Sequence, residues 1–174
     1  MRESSTRAGT PDVEVRVAVT GHRAFDVAAA EYIRSGVEQL LETLAAAGPV
    51  RVVTSLAEGA DQLVAEAAVQ RGLLLEVIVP AAGYAESLPE ADQHRFAELL
   101  TAADAVRTLE HPAPSPAAYR EAGLAMLAGA DLLVAVWDGR PPRGVGGSAE
   151  IVACARELGL DLEVIWPPGY DRPV

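Results

Sequence analysis

The chain has 174 residues, half of them hydrophobic and 22% charged, with a formal net charge of −11. That length carries a core large enough to fold without metals or disulfides, and the acidity opposes a phosphate backbone, so nucleic acid is not expected as a partner. The single cysteine, Cys154, excludes an intrachain disulfide and a cysteine metal cluster. With neither a signal peptide nor an apolar run of about 18 residues, a cytoplasmic protein without membrane contact is expected.

Residues 1–12 read as a polar tail, leaving 13–174 as one domain. Val13, Val15, Val17 and Val19 alternate with Glu14, Arg16 and Ala18, the period of two of a strand. Ile33, Val37, Leu40, Leu41 and Leu44 recur at helical spacing up to the Gly48-Pro49 stop. Residues 50–54 form a second strand, and Leu63, Val64, Ala67 and Ala68 mark a helix closed by Gly72. Residues 73–79 are an apolar run broken only by Glu76, as in a strand buried on both faces. Helix follows at 89–103, strand at 105–109, loop at 111–116, helix at 117–128 and strand at 131–137. A helix at 148–158 and a strand at 162–166 complete the chain. Strands separated by single helices predict an α/β fold: one parallel sheet with right-handed crossovers and helices on both faces.

The residues that packing does not explain fall in four places, each directly after a predicted strand. They are Thr20-Gly21-His22-Arg23, the segment SLAEGAD at 55–61, residues 80–84 and residues 138–150. In an open parallel sheet such loops share the carboxyl edge, where ligands bind at the topological switch point.

Gly144, Gly146 and Gly147 allow close backbone approach and positive φ, and Ser148 can cap the next helix, whose free N–H groups favour an anion. A flexible loop ending in an ordinary cap is the alternative. Gly144, Gly146 and Ala149 formally fit the dinucleotide fingerprint G-x-G-x-x-A, but that belongs to the first strand–helix turn and here follows the fifth strand. Glu150 would be repelled by a phosphate, so it either faces a sugar or complements the helix dipole. Ser55 and Glu58 have capping-box spacing, which accounts for both without a ligand. Gly59 is unfavourable in a first turn and suggests a ligand near the backbone. Asp61 either accepts from a ribose or base, or suits the dipole. Arg23 is a candidate phosphate clamp, His22 a candidate proton donor, and Asp138 a group for sugar or base. His94 and His111 read as surface residues. The histidines offer no metal-ligand spacing, and no cofactor or metal is expected.

VTGHR, SLAEGAD, VIVP with the following Tyr84, AYREAGLAMLAGADLLVAVWDG and GVGGSAEIVACAR together resemble the SLOG group over about residues 13–166. These are Rossmann-like domains related to the lonely-guy phosphoribohydrolases and the lysine decarboxylase-like proteins. The resemblance implies binding of a nucleotide or nucleotide-derived molecule, in sensors or enzymes, commonly as homodimers. The phosphoribohydrolases carry P-G-G-x-G-T-x-x-E; here the segment reads RGVGGSAEIV, without Pro-Gly-Gly, with serine for threonine and with Glu150 one residue early. The expectation is therefore a sensor-type domain. Gly21, Gly59, Gly146 and Gly147 would hold phosphate with Arg23, and Glu58, Asp61, Asp138 and Glu150 would face sugar or base. The alternatives are an N-glycosidase acting on a nucleoside monophosphate through Glu150 and Arg23, and a scaffold with a vestigial pocket.

Overall fold

Val17, Ala18 and Val19 are fully buried because their strand runs through the middle of a sheet covered on both faces. The computed structural model describes residues 13–142 and 147–173, so the tail at 1–12 and the glycines Gly144 and Gly146 lie outside the described residues. The elements are β1 (Val15–Gly21), α1 (Val27–Ala47), β2 (Val50–Thr54), α2 (Ala60–Gln70), β3 (Leu74–Val79), α3 (Tyr84–Ser87), α4 (Glu90–Ala102), β4 (Ala105–Thr108), α5 (Pro116–Leu127), β5 (Leu132–Val136), α6 (Ser148–Glu157) and β6 (Asp161–Val164). The expected order of strands and helices is present. The short α3, which follows Gly83 at φ 71°, is additional and falls where a loop was expected.

The six strands are all parallel, in the order β4-β3-β2-β1-β5-β6. This is a Rossmann-like α/β fold. The chain steps outward from β1 to β4, then crosses back to β5 on the other side of β1. The reversal brings the carboxyl ends of β1 and β5 together, with Thr20 beside Ala135 and Gly21 beside Val136. A crevice at that edge follows from the winding.

Helices α1, α2 and α4 cover one face, and Ile33, Leu41, Val64, Phe96 and Leu99 pack there with Val17, Val19 and Leu75. Helices α5 and α6 cover the other, where Met126, Leu127, Ile151 and Val152 meet Ala18, Val53 and Leu133. Each fully buried Leu or Ile contributes roughly 1.5–3 kcal/mol. Local signals fix the helix starts: the Asp26 side chain accepts from Ala29 N–H, and Ser115 accepts from Ala118 N–H with Pro116 next in sequence. Ala118, Ala122, Gly123, Met126 and Leu127 of α5 are buried within the chain itself. Among the described residues, no helix is long and apolar enough to cross a membrane.

Candidate functional site

A partly open crevice of about 100 Å³ lies over the carboxyl ends of β1, β2 and β3. The β1 end contributes Thr20, Gly21 and Arg23; the segment after β2 contributes Ser55, Ala57 and Asp61; Pro80 and Tyr84 follow β3. Tyr119 and Met126 approach from α5, and Gly147, Ser148 and Ile151 from the start of α6. Three of the four loops singled out by sequence thus reach one cavity, and the 138–150 loop joins them through its last residues.

The floor is shaped by an unusual backbone. Leu56 has φ 56°, a left-handed conformation costly for a branched side chain, and its own side chain is fully buried. Leu56 N–H donates to Thr54 Oγ1 at 3.1 Å. The turn aims the N–H groups of Ser55 and Ala57 at one oxygen, Asp61 Oδ2, at 3.3 and 3.4 Å. Burial pushes the Asp61 carboxyl up to about 6, against the hydrogen bonds and the nearby Arg23 that favour its charge. Burial, with Asp61 beside it, also raises the Tyr84 phenol above its ordinary range.

Two expectations for SLAEGAD are corrected. Ser55 and Glu58 do not form a capping box: α2 begins at Ala60, its N-cap is Gly59, and no side chain caps it. Ser55 Oγ instead lies 3.7 Å from Met126 Sδ, and Glu58 pairs with Arg23 at 3.2 Å. Gly59 needs no ligand to explain it. At φ 81° its missing Cβ would sit 2.4 Å from Arg23 O and 2.7 Å from His22 O, so glycine lets α2 dock on the β1–α1 turn. Gly59 does not line the crevice, whereas Gly21 does; a Cβ on Gly21 would lie 2.4 Å from Ala60 Cβ.

Arg23 is held between Glu58 and the ring of Tyr119, its guanidinium carbon 5.3 Å from the ring centroid. Burial opposes its charge, but Glu58, with Tyr84 and Tyr119, more than offsets burial and raises its pKa. Gly147 is the N-cap of α6 at φ −78° and ψ 167°, an ordinary extended conformation rather than the positive φ considered above. Ser148 is the first helical residue and not the cap, and among the described residues no side chain caps α6. Its first turn therefore opens on the crevice without a side-chain cap. Glu150, in that turn, pairs with Arg120, Nε to Oε1 2.5 Å.

His22 and Asp138 do not line the crevice. His22 Nε2 is 3.0 Å from Asp138 Oδ1, and its ring packs edge-on to Trp166 with centroids 5.0 Å apart. Arg172 Nε reaches Asp138 Oδ2 at 3.1 Å. Burial opposes ionisation of Asp138, but Arg140 N–H, His22 and Arg172 together hold its carboxyl below the ordinary range. The segment after β6 is strapped across the β1 and β5 ends in this way, with Tyr170 Oη accepting from Asp26 N–H at 2.8 Å. Sequence reasoning missed Tyr119, Gly123 and Met126. Their spacing of four and three residues puts them on one face of α5, a segment read only as a helix. Among the described residues, no group of three or more His, Cys, Asp or Glu is placed to hold a metal ion.

The model of the YspA SLOG family matches residues 17–151. No curated protein matches the sequence. DNA processing protein A from Streptococcus pneumoniae superposes with a TM-score of 0.67 at 20% identity, covering 90% of this chain and 52% of its own. Its Helicobacter pylori counterpart, described by its single-stranded DNA binding mode, gives 0.67 at 18% identity over 91% and 68%. The Moco carrier protein of Chlamydomonas reinhardtii gives 0.52 at 16% over 88% and 76%. The chain thus spans about half the length of the pneumococcal protein. These likenesses show the fold. They also overturn the exclusion of nucleic acid drawn from net charge: the Helicobacter protein, which shares this fold, binds single-stranded DNA. A whole-chain charge averages over the surface and does not describe one local site, where N–H groups and a single guanidinium can meet phosphates.

Proposed function

The chain belongs to the YspA SLOG family, and from that premise we propose that its crevice binds a nucleotide or nucleotide derivative through a phosphate. The observation that carries the reading is the first turn of the ten-residue α6, which has no side-chain cap among the described residues and meets the same cavity as Arg23, Thr20, Ser55 and Ser148. Free N–H groups at a helix start attract a phosphate without requiring a lysine. Met126 and Ile151 supply the apolar wall for the rest of the molecule. Native mass spectrometry of protein purified from its own host tests the reading: a co-purifying nucleotide mass supports it, and ligand-free protein counts against it.

One observation favours a second reading, N-glycosidic cleavage. The Arg120–Glu150 pair holds a carboxylate in the first turn of α6, between the crevice residues Ser148 and Ile151, although Glu150 itself does not line the crevice. There Glu150 would stabilise positive charge developing on a sugar. Arg23, expected to share that work, is engaged by Glu58. Binding is common to both readings, and release of free base separates them.

A further inference from the structure

We propose that Asp61 reads a sugar hydroxyl of the bound molecule, so that the crevice selects a ribonucleotide over its deoxy counterpart. The inference rests on the nucleotide reading above and sharpens it.

Asp61 is 6% exposed, yet it lines the crevice, and it is the only carboxylate among the described lining residues. Its position is fixed by backbone: the left-handed Leu56 turns the Ser55 and Ala57 N–H groups onto Oδ2. No ion pair neutralises it among the described residues, because Arg23 is drawn to Glu58 and to the Tyr119 ring. A buried carboxylate of this kind gains from a further donor that brings no negative charge.

The other end of the crevice determines which donor that is. A phosphate is repelled at Asp61 and attracted at Gly147 and Ser148, so an amphiphilic ligand takes one orientation. In a cavity of about 100 Å³, the group bonded directly to the phosphate is the one that reaches Asp61. In a nucleotide that group is the sugar; the exocyclic amines of the base lie a further ring away. A ribose hydroxyl donates to the carboxylate in a space that Thr20 and Ser55 also line. If Asp61 served only to brace the turn at 55–57, its removal would alter stability and leave discrimination untouched.

The test is calorimetric titration of the full chain with the four ribonucleoside 5′-monophosphates and their 2′-deoxy and 3′-deoxy forms. For the tightest-binding base, loss of the hydroxyl is expected to weaken binding about 10-fold or more, the worth of a hydrogen bond to a charged group. In Asp61→Asn, which keeps an oxygen for the Ser55 and Ala57 N–H groups, the gap is expected to close to within about twofold. The wild-type comparison needs no mutant and stands even if the variant folds poorly. Equal affinity of ribo and both deoxy forms overturns this inference and leaves the nucleotide reading intact. A preference that persists in a folded Asp61→Asn also overturns it. Binding of none of these nucleotides overturns both.

Discussion

Gly59 and Arg23 meet backbone to backbone: a Cβ on Gly59 would lie 2.4 Å from the Arg23 carbonyl oxygen, and Gly59 holds φ 81°. The start of α2 is therefore seated on the turn that presents Arg23 to the crevice. Gly59→Ala combines a positive-φ penalty with overpacking and is expected to cost about 3 kcal/mol. Urea unfolding measures it; a loss below about 0.5 kcal/mol would show that the turn yields freely.

A second prediction concerns pH. The Asp61 carboxyl rises from its ordinary 3.8 to about 6 in the folded chain. Below about pH 4 it is neutral in both folded and unfolded states. As pH rises from about 4 to 6 the unfolded chain gives up the proton first, so stability falls across that window and then levels. The decline amounts to roughly 3 kcal/mol. Asp61→Asn stays neutral throughout, so it should gain on wild type between pH 4 and pH 8. Comparing the two proteins at each pH cancels the opposite trends of Glu14 and Asp138, whose carboxyls are lowered. Arg23, which acts on Asp61, and Tyr84, which Asp61 acts on, do not titrate in this range. A pH-independent difference would contradict the assignment.

Arg172→Met tests the strap. Its Nε lies 3.1 Å from Asp138 Oδ2, with the two side chains only 12% and 3% exposed. Removing the guanidinium leaves Asp138 with His22 and Arg140 N–H, and the expected loss is about 2 kcal/mol. Because Asp138 does not line the crevice, nucleotide affinity should change less than about twofold. A larger change in affinity would place the strap in the binding site.

The order of strands and helices was legible because β1 alternates, β3 is apolar but for Glu76 and the helices carry periodic Leu, Ile and Val. The gathering of post-strand loops at one edge followed from winding alone. Side-chain roles inside those loops were not legible. The spacing of Ser55 and Glu58 fits a capping box equally well whether or not the helix starts there; Gly59 at φ 81° moves the start to Ala60. Asp138 was grouped with the ligand-facing carboxylates, but its partners His22 and Arg172 come from 116 and 34 positions away, beyond the reach of local spacing. Tyr119 was hidden for the opposite reason, since its local spacing with Gly123 and Met126 marks a helix and says nothing of a cavity.

Glu150→Gln distinguishes binding from cleavage. Incubation of wild type with nucleoside monophosphates and with nicotinamide adenine dinucleotide is expected to release no free base. The variant should also release none, with affinity altered by about 1–3 kcal/mol as the pairing of Arg120 changes. Release by wild type that falls about 100-fold or more in Glu150→Gln would establish the enzyme reading instead.

The central claim is that the first turn of α6 cradles the ligand's phosphate, and Gly147→Val tests it most directly. At φ −78° and ψ 167° the backbone of residue 147 suits a valine, so the fold should survive while the added methyl groups fill the approach to the N–H groups. Calorimetry is expected to show nucleotide binding by wild type and none by Gly147→Val, with identical far-ultraviolet spectra. Unchanged affinity in a normally folded variant would contradict the account.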